Sequence, residues 1–244
     1  MSYDSKNVYA CKIAIDKIKS GEDDSKLHTL LELLQMTKDK DDLNQLIGYA
    51  AARGTSTIIK KLLEQGVDIN IHDIYLGSTP LTTACSFHKY DIVVELLKNN
   101  ANVNLPATNG WYPLHCVIKE DDYSDMQNSG IETLKLLIAY KVDINVQNNY
   151  LNGETALMRA CKYNINNMVY ELLNANADIY ITNHMMQTAL YIAKEKNNYK
   201  AVRMINFKIQ RMQIRVAIIV SLMMTKRLNC SVDILRMIIN YIIK

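Results

Sequence analysis

The chain has 244 residues and a formal net charge of +3; 49% of its residues are hydrophobic, and it contains 3 prolines and 8 glycines. This composition excludes a disordered chain, and the shortage of turn residues argues against an all-β fold. The charge is uneven, because residues 194–244 carry 11 basic side chains against 2 acidic ones. A basic end of this kind attracts acidic proteins, anionic lipid or nucleic acid, or is simply a solvated helical surface.

Residues 1–45 are predicted to form an N-terminal helical cap. The spacing of apolar residues is helical over residues 10–18 and 27–36, and a Ser-Gly-Glu-Asp-Asp stretch separates the two segments. The first twelve residues lack the apolar core of a secretory signal, so we expect no export by that route.

A motif of about 33 residues recurs from residue 46 to residue 206. Most copies open on Thr-Pro-Leu or a similar phrase, and the opening aliphatic residues are Ile47, Leu81, Leu114, Leu157 and Leu190. A compact residue follows three positions later, then a pair of aliphatic residues, then a closing phrase such as Val-Asp-Ile-Asn. The pattern predicts helix pairs that bury their apolar faces only by stacking on one another.

One interval in this series is longer than the others. The openings at Leu114 and Leu157 are 43 residues apart, because extra residues lie between positions 120 and 130 and between 150 and 153. The first insertion is acidic and polar, so it is predicted to be a surface loop.

The opening phrases and the closing phrases at residues 66–70, 100–104, 141–145 and 176–180 closely resemble those of ankyrin repeats. The resemblance implies an all-α ankyrin-repeat solenoid of about five repeats over residues 46–206. It also implies a non-enzymatic module that binds a protein partner on the concave face, which the finger tips and the first helix of each pair form. Carried over by register, the apolar side chains of that face are Tyr75, Leu76, Phe87, Trp111, Leu151, Tyr163 and Met185.

Aromatic side chains at positions that should face solvent are typical of binding hot spots. The sole tryptophan and one of the two phenylalanines of the chain are among these positions. The competing interpretation is that Trp111 folds over the neighbouring finger as part of a local core.

Residues 207–244 are predicted to form two or more helices, with a boundary between residues 225 and 231. The last stretch resembles an F-box-type signature, although Asn229 stands where that signature has proline and two extra residues precede Asp233. The residues that carry the resemblance are Leu228, Ile234, Leu235, Ile238, Ile239 and Tyr241.

An ankyrin array with such a tail resembles the PRANC-type effectors of poxviruses and obligate intracellular bacteria. The resemblance implies capture of a host protein, in the cytoplasm or nucleus of a host cell, and docking on the adaptor subunit of an SCF ubiquitin ligase. Two alternatives stay open for the tail. It could be a plain helical cap on a scaffold or sequestering protein, or a membrane-surface helix that uses the basic residues Lys208, Arg211, Arg215, Lys226 and Arg227.

No motif of the phosphate-loop, dinucleotide, nucleophile-elbow or zinc-protease type occurs in the sequence, so no enzymatic activity, cofactor or metal is expected. No nucleic-acid partner is expected either. His115 precedes Cys116, but sequence neighbours at a helix start point in different directions and make a poor catalytic pair. The cysteines form no CxxC pair and are interpreted as free thiols in a reducing compartment; they are Cys11, Cys85, Cys116, Cys161 and Cys230.

Overall fold

The computed structural model describes residues 3–19, 29–30, 32–34, 40–73, 77–118 and 124–225. The chain divides into two compact units, one of residues 1–143 with 148–151 and the other of residues 144–147 with 152–244. Helices dominate both units, and the described residues contain isolated bridge residues, such as the antiparallel pair Thr182 and Thr188, but no β-strand. The all-α prediction is therefore confirmed.

The first unit is a stack of short helices. A 3-10 helix at Asn149–Leu151 belongs to this unit as well. Its α-helices are α1 (Tyr3–Lys19), α2 (Lys40–Arg53), α3 (Ser56–Glu64), α4 (Pro80–Ser86), α5 (Tyr90–Lys98), α6 (Pro113–Val117) and α7 (Ser124–Ala139).

The helices of this unit pack in two rows. Helices α2, α4 and α6 open successive repeats and lie side by side, and α3, α5 and α7 form the second row. Helix α1 packs on α2, as expected of a helix that covers the end of the stack. The repeat's opening residues Ile47, Leu81 and Leu114 are almost fully buried between the rows, which explains why these positions are aliphatic in each copy.

Two boundaries differ from those predicted. Helix α2 begins at Lys40, so the first repeat takes in residues that were assigned to the N-terminal cap. Helix α7 begins at Ser124, so the prediction of a loop over residues 120–130 is wrong for residues 124–130. The inserted residues lengthen the second helix of the third repeat at its start, because helical hydrogen bonds satisfy the backbone even where the side chains are polar.

The second unit repeats the same scheme. Helices α8 (Ala156–Lys162) and α10 (Ala189–Glu195) pack on each other, and so do α9 (Asn166–Asn174) and α11 (Tyr199–Thr225). Helix α11 runs through the boundary predicted at residue 206 without a break, and it is 27 residues long against 9 for α9.

Threonine caps begin three of the opening helices. The Thr79 hydroxyl accepts a hydrogen bond from the backbone N–H of Thr82, and Pro80 occupies the first helical turn, as its sequence context predicts. Thr155 and Thr188 cap α8 and α10 in the same way. In the third repeat Tyr112 stands at this position, and α6 has no side-chain cap.

An asparagine at the end of each of the first three closing phrases joins that repeat to the next. Within the first unit, the Oδ1 atom of Asn70 accepts a hydrogen bond of 2.8 Å from the backbone N–H of Asn102. The Oδ1 atom of Asn104 accepts one of the same length from Asp143. Tyr180 holds the corresponding place in the fourth repeat and has no amide side chain. We call this series the asparagine ladder.

The second unit contains one step of the same ladder. There the Oδ1 atom of Asn145 accepts a 2.8 Å hydrogen bond from the backbone N–H of Asp178. Each step satisfies an N–H group of a loop that no helix or strand pairs.

Replacing Asn104 with alanine should lower the free energy of unfolding by about 0.5–1 kcal/mol, because the N–H of Asp143 then exchanges its protein acceptor for water. Urea denaturation followed by circular dichroism measures the change. Asn149→Ala is the matched control, since Asn149 is also exposed and takes no part in the ladder. Equal effects of the two substitutions would contradict a role for the ladder in stability.

Candidate protein-binding surface

The surface predicted to bind a partner begins at the fingers, the loops that connect one repeat to the next. In the third repeat the finger is a tight hairpin, in which Ala107 donates its N–H to the Trp111 carbonyl and Gly110 donates to the Ala107 carbonyl, each at 2.8 Å. Trp111 therefore ends the hairpin, two residues before α6 begins. The hairpin hydrogen bonds fix its backbone on one side, and the helix fixes it on the other.

Glycines in the fingers let side chains of the next finger lie directly on the backbone. Gly110 has a φ of 75°, and a Cβ atom added to it would overlap the ring of Tyr150 in the same unit. Gly153, in the second unit, has a φ of 71°, and an added Cβ would lie 2.7 Å from the imidazole of His184. Only glycine fits both the left-handed backbone and the close approach.

The structure describes three of the predicted contact residues in the first unit. Phe87 ends α4 and is 55% exposed. Trp111 and Leu151 are half-buried, and the binding role of Trp111 stays a prediction. Tyr75 and Leu76 lie outside the described residues.

Phe87 and Trp111 belong to neighbouring repeats. Helices α4 and α6 lie side by side, with Trp111 before the start of α6 and Phe87 after the end of α4. Helix α4 has 7 residues, so the two side chains mark opposite ends of a helical face roughly 10 Å long.

Tyr163, in the second unit, is held by a cluster of charges. The Arg159 guanidinium lies 5.1 Å and the Lys162 ammonium 5.7 Å from the centre of its ring. The buried Glu154 carboxylate accepts a 2.8 Å hydrogen bond from Lys162. Two cation–π contacts of about 0.5–1 kcal/mol each orient the half-buried ring before any partner arrives. An anchor that is already ordered costs little entropy on binding.

Met185 lies at the tip of the finger of the fifth repeat and is 67% exposed. Its neighbour Met186, which the sequence reasoning missed, is 78% exposed and has a φ of 59°. Tyr191, on α10, was missed as well and is more than half exposed. In the first unit Tyr150 lies in an insertion and was not predicted as a contact residue. Its side chain is exposed, and its ring lies against Gly110. The extra length of that finger was the signal that could have identified it.

Exposure alone does not define this surface. Tyr140, Tyr170 and Tyr180 are also exposed, and they lie at the end of a second-row helix, on a second-row helix and in a closing phrase. The finger residues differ from these because glycine contacts and hairpin hydrogen bonds fix their backbones.

The buried thiols are poor nucleophiles. Burial raises the pKa of Cys161 to about 12, and burial together with the nearby Cys116 holds the pKa of Cys85 well above its usual value. Neither side chain is a thiolate at neutral pH, which is the form that attacks. His115 is fully buried at the start of α6, with the ring of Tyr112 at 5.8 Å from its own.

Among the described residues, no group of three or more His, Cys, Asp or Glu side chains is placed to hold a metal ion. In the same part of the chain, no helix combines the length and the apolar character needed to cross a bilayer. The predicted ligase-adaptor residues lie outside the described residues; they are Leu228, Ile234, Leu235, Ile238, Ile239 and Tyr241.

Comparison with known proteins gives one consistent family. A family model described as ankyrin repeats in three copies matches residues 47–127 and 123–212. An ankyrin repeat protein of fowlpox virus (strain NVSL) is 30% identical over 190 residues, which cover 72% of this chain and 53% of the viral protein.

Two further relatives match over smaller parts of their own length. Neurogenic locus notch homolog protein 1 of Xenopus tropicalis is 26% identical over 147 residues, or 60% of this chain and 6% of that protein. Phosphocholine transferase AnkX of Legionella pneumophila is 28% identical over 198 residues, or 76% of this chain and 20% of that protein. The chain thus spans about half of the viral relative and far less of the other two.

Gly110→Ala should displace Tyr150 and lower the free energy of unfolding by more than Gly66→Ala does. Both glycines have a positive φ, 75° and 77°, but an added Cβ at Gly66 meets nothing within 4 Å. We expect a cost of about 1 kcal/mol for the backbone conformation alone and a further loss only at Gly110. Chemical denaturation of the two variants measures the difference, and equal losses would show that Tyr150 does not depend on the contact.

Proposed function

The chain belongs to the ankyrin-repeat family, and on that basis we propose that it is a non-enzymatic protein that captures a protein partner through its finger tips and opening helices. The observation that carries the proposal is the preorganised finger of the third repeat. Its hairpin fixes the backbone of Trp111, and its glycine positions the exposed ring of Tyr150. Rigid aromatic side chains supply contact area at a low entropic cost.

The partner surface within the first unit consists of Phe87, Trp111, Tyr150 and Leu151. Its exposed aromatic rings favour a partner that offers an apolar patch or pocket. In the second unit Tyr163 offers a ring close to the cations of Arg159 and Lys162, and Met185 and Met186 offer two flexible thioethers. Methionine side chains adapt to irregular apolar surfaces, so these residues suit the same kind of partner.

We also propose that the partner is a host protein and that the chain acts inside a host cell, in the cytoplasm or nucleus. Support comes from the fowlpox virus relative, which covers most of this chain, and from the Legionella relative. Reduced cysteines suit a reducing compartment, and the described residues Cys11, Cys85, Cys116 and Cys161 are buried and form no disulfide.

The tail completes the proposal. Residues 228–241 carry the F-box-like pattern, and we propose that they dock on the adaptor subunit of an SCF ubiquitin ligase, so that the captured protein is presented to the ligase. If the tail does not dock, the chain is instead a scaffold or sequestering protein whose last residues only cap the stack.

The first test compares capture by matched variants. The double variant Phe87→Ala with Trp111→Ala should lose the proteins that the wild-type chain retains from a host-cell lysate, measured by quantitative mass spectrometry. The control is Tyr170→Ala with Tyr180→Ala, which removes two aromatic rings that are 56% and 54% exposed on other surfaces.

We expect the control to retain the same proteins as the wild type. Trp111 is half-buried, so the unfolding free energy of each variant is measured in parallel. Loss of capture together with a large loss of unfolding free energy would assign Trp111 to the core. Equal capture by both double variants would refute the proposal that Phe87 and Trp111 bind the partner.

A second test addresses the tail. A pull-down with the purified ligase adaptor should retain the wild-type chain and should fail with Ile234→Ala and Ile238→Ala. The control is Ile214→Ala with Ile218→Ala, which makes the same chemical change on α11 outside the F-box-like pattern. Retention of all three proteins, or of none, would contradict adaptor docking through residues 228–241.

A further inference from the structure

Helix α11 is longer than the stack that supports it. It has 27 residues, and its neighbour α9 has 9. The ammonium of Lys208 marks the end of this support, since it donates hydrogen bonds to the Leu173 carbonyl at 2.9 Å and to the Asn176 side chain at 3.0 Å. Residues 209–225 continue the helix for roughly 25 Å beyond that point.

Large apolar side chains are exposed along this extension and just before it. Phe207 is 60% exposed, Ile214 58%, Ile218 52% and Val220 40%. Isolated exposed apolar residues need no explanation, but four within fourteen residues of one helix do. Buried neighbours on the same helix, such as Ile205, already supply its contact with the stack.

Arginines lie among these apolar residues. The Arg211 guanidinium lies over the Phe207 ring at 5.8 Å, and Arg203 and Arg215 are also exposed. Residues 199–225 contain five basic side chains and no acidic one. The charge of this surface is therefore complementary only to a partner that presents carboxylates or phosphates.

Charge disfavours two occupants. A second copy of the chain would bring another helix of the same sign against this one. The chain's own residues 226–244 carry Lys226, Arg227, Arg236 and Lys244 against the single acid Asp233, so their sign is also the same. Like charges facing each other cost free energy across an interface.

Geometry disfavours a bilayer. Ile214 and Ile218 share one side of the helix, but Val220 lies about 120° away from Ile214 at 100° per residue. Arg211, four residues from Phe207 and three from Ile214, lies within the apolar stripe rather than opposite to it. A membrane contacts one face and disfavours a charge within that face, whereas a protein groove that closes round a helix contacts several sides.

We propose that the distal part of α11 is a docking helix for a calcium-loaded EF-hand protein, whose apolar, methionine-lined groove closes round Phe207, Ile214, Ile218 and Val220. Such grooves bind basic amphipathic helices through apolar anchors along the helix, and calcium opens them. The acidic surface of the partner would pair with Arg211 and Arg215. The proposal is independent of the F-box-like residues and of the finger surface.

Calcium-loaded calmodulin is the probe, and titration calorimetry with the full chain is the measurement. We expect a Kd of about 10 μM or below and loss of binding in excess EGTA. Ile214→Glu with Ile218→Glu should raise the Kd about tenfold or more. Arg211→Glu with Arg215→Glu should raise it as well, by a factor that falls with added salt.

The matched control is Ile234→Ala with Ile238→Ala, which should leave the Kd unchanged and so separates this site from adaptor docking. The substitutions at residues 211, 214, 215 and 218 change exposed side chains, and circular dichroism checks the helicity of every variant. No heat of binding at 50 μM calmodulin (roughly fivefold above the expected Kd) would overturn the proposal. So would calcium-independent binding to phosphatidylserine vesicles that the Ile214 and Ile218 substitutions abolish, or a dimer of the chain that they dissociate.

Discussion

The asparagine ladder is the interaction on which the repeat geometry depends. A closing phrase has no partner strand, so its backbone N–H groups depend on side chains or on water for an acceptor. A short amide side chain from the preceding repeat reaches this N–H group, and it does so at the same distance in both units. The ladder ties each of the first three helix pairs to the next, and the spacing of the pairs determines where finger side chains can lie.

The sequence predicted the repeat well because the buried positions recur at a fixed period. Ile47, Leu81 and Leu114 are buried because they repeat in register, and Thr79 caps its helix because its hydroxyl precedes Pro80. His88 has a φ of 51°, in the left-handed region that favours glycine. The extra residues before Gly130 were the failure, since polar composition does not separate a loop from a solvated helix.

The candidate surface could be predicted only in part. Register identified Phe87 and Met185 as exposed, but no local pattern showed that Gly110 supports Tyr150, since the two are forty positions apart. The sequence predicted Tyr163 as a contact residue because it is aromatic. It did not predict the cluster of Glu154, Arg159 and Lys162 that surrounds the ring. Contacts of this kind depend on which side chains a neighbouring loop brings near, and spacing along one segment does not contain that information.

Tyr180 interrupts the asparagine ladder inside the array. The first three repeats each offer an amide oxygen to the repeat that follows, whereas the fourth has a phenol at that place. Other hydrogen bonds join the fourth repeat to the fifth: the Asn198 side chain donates to the Cys161 carbonyl, and the Lys208 ammonium donates to the Leu173 carbonyl. The junction between these last two repeats thus depends on α11 and the residue before it, so the long helix is a structural part of the array and not an appendage.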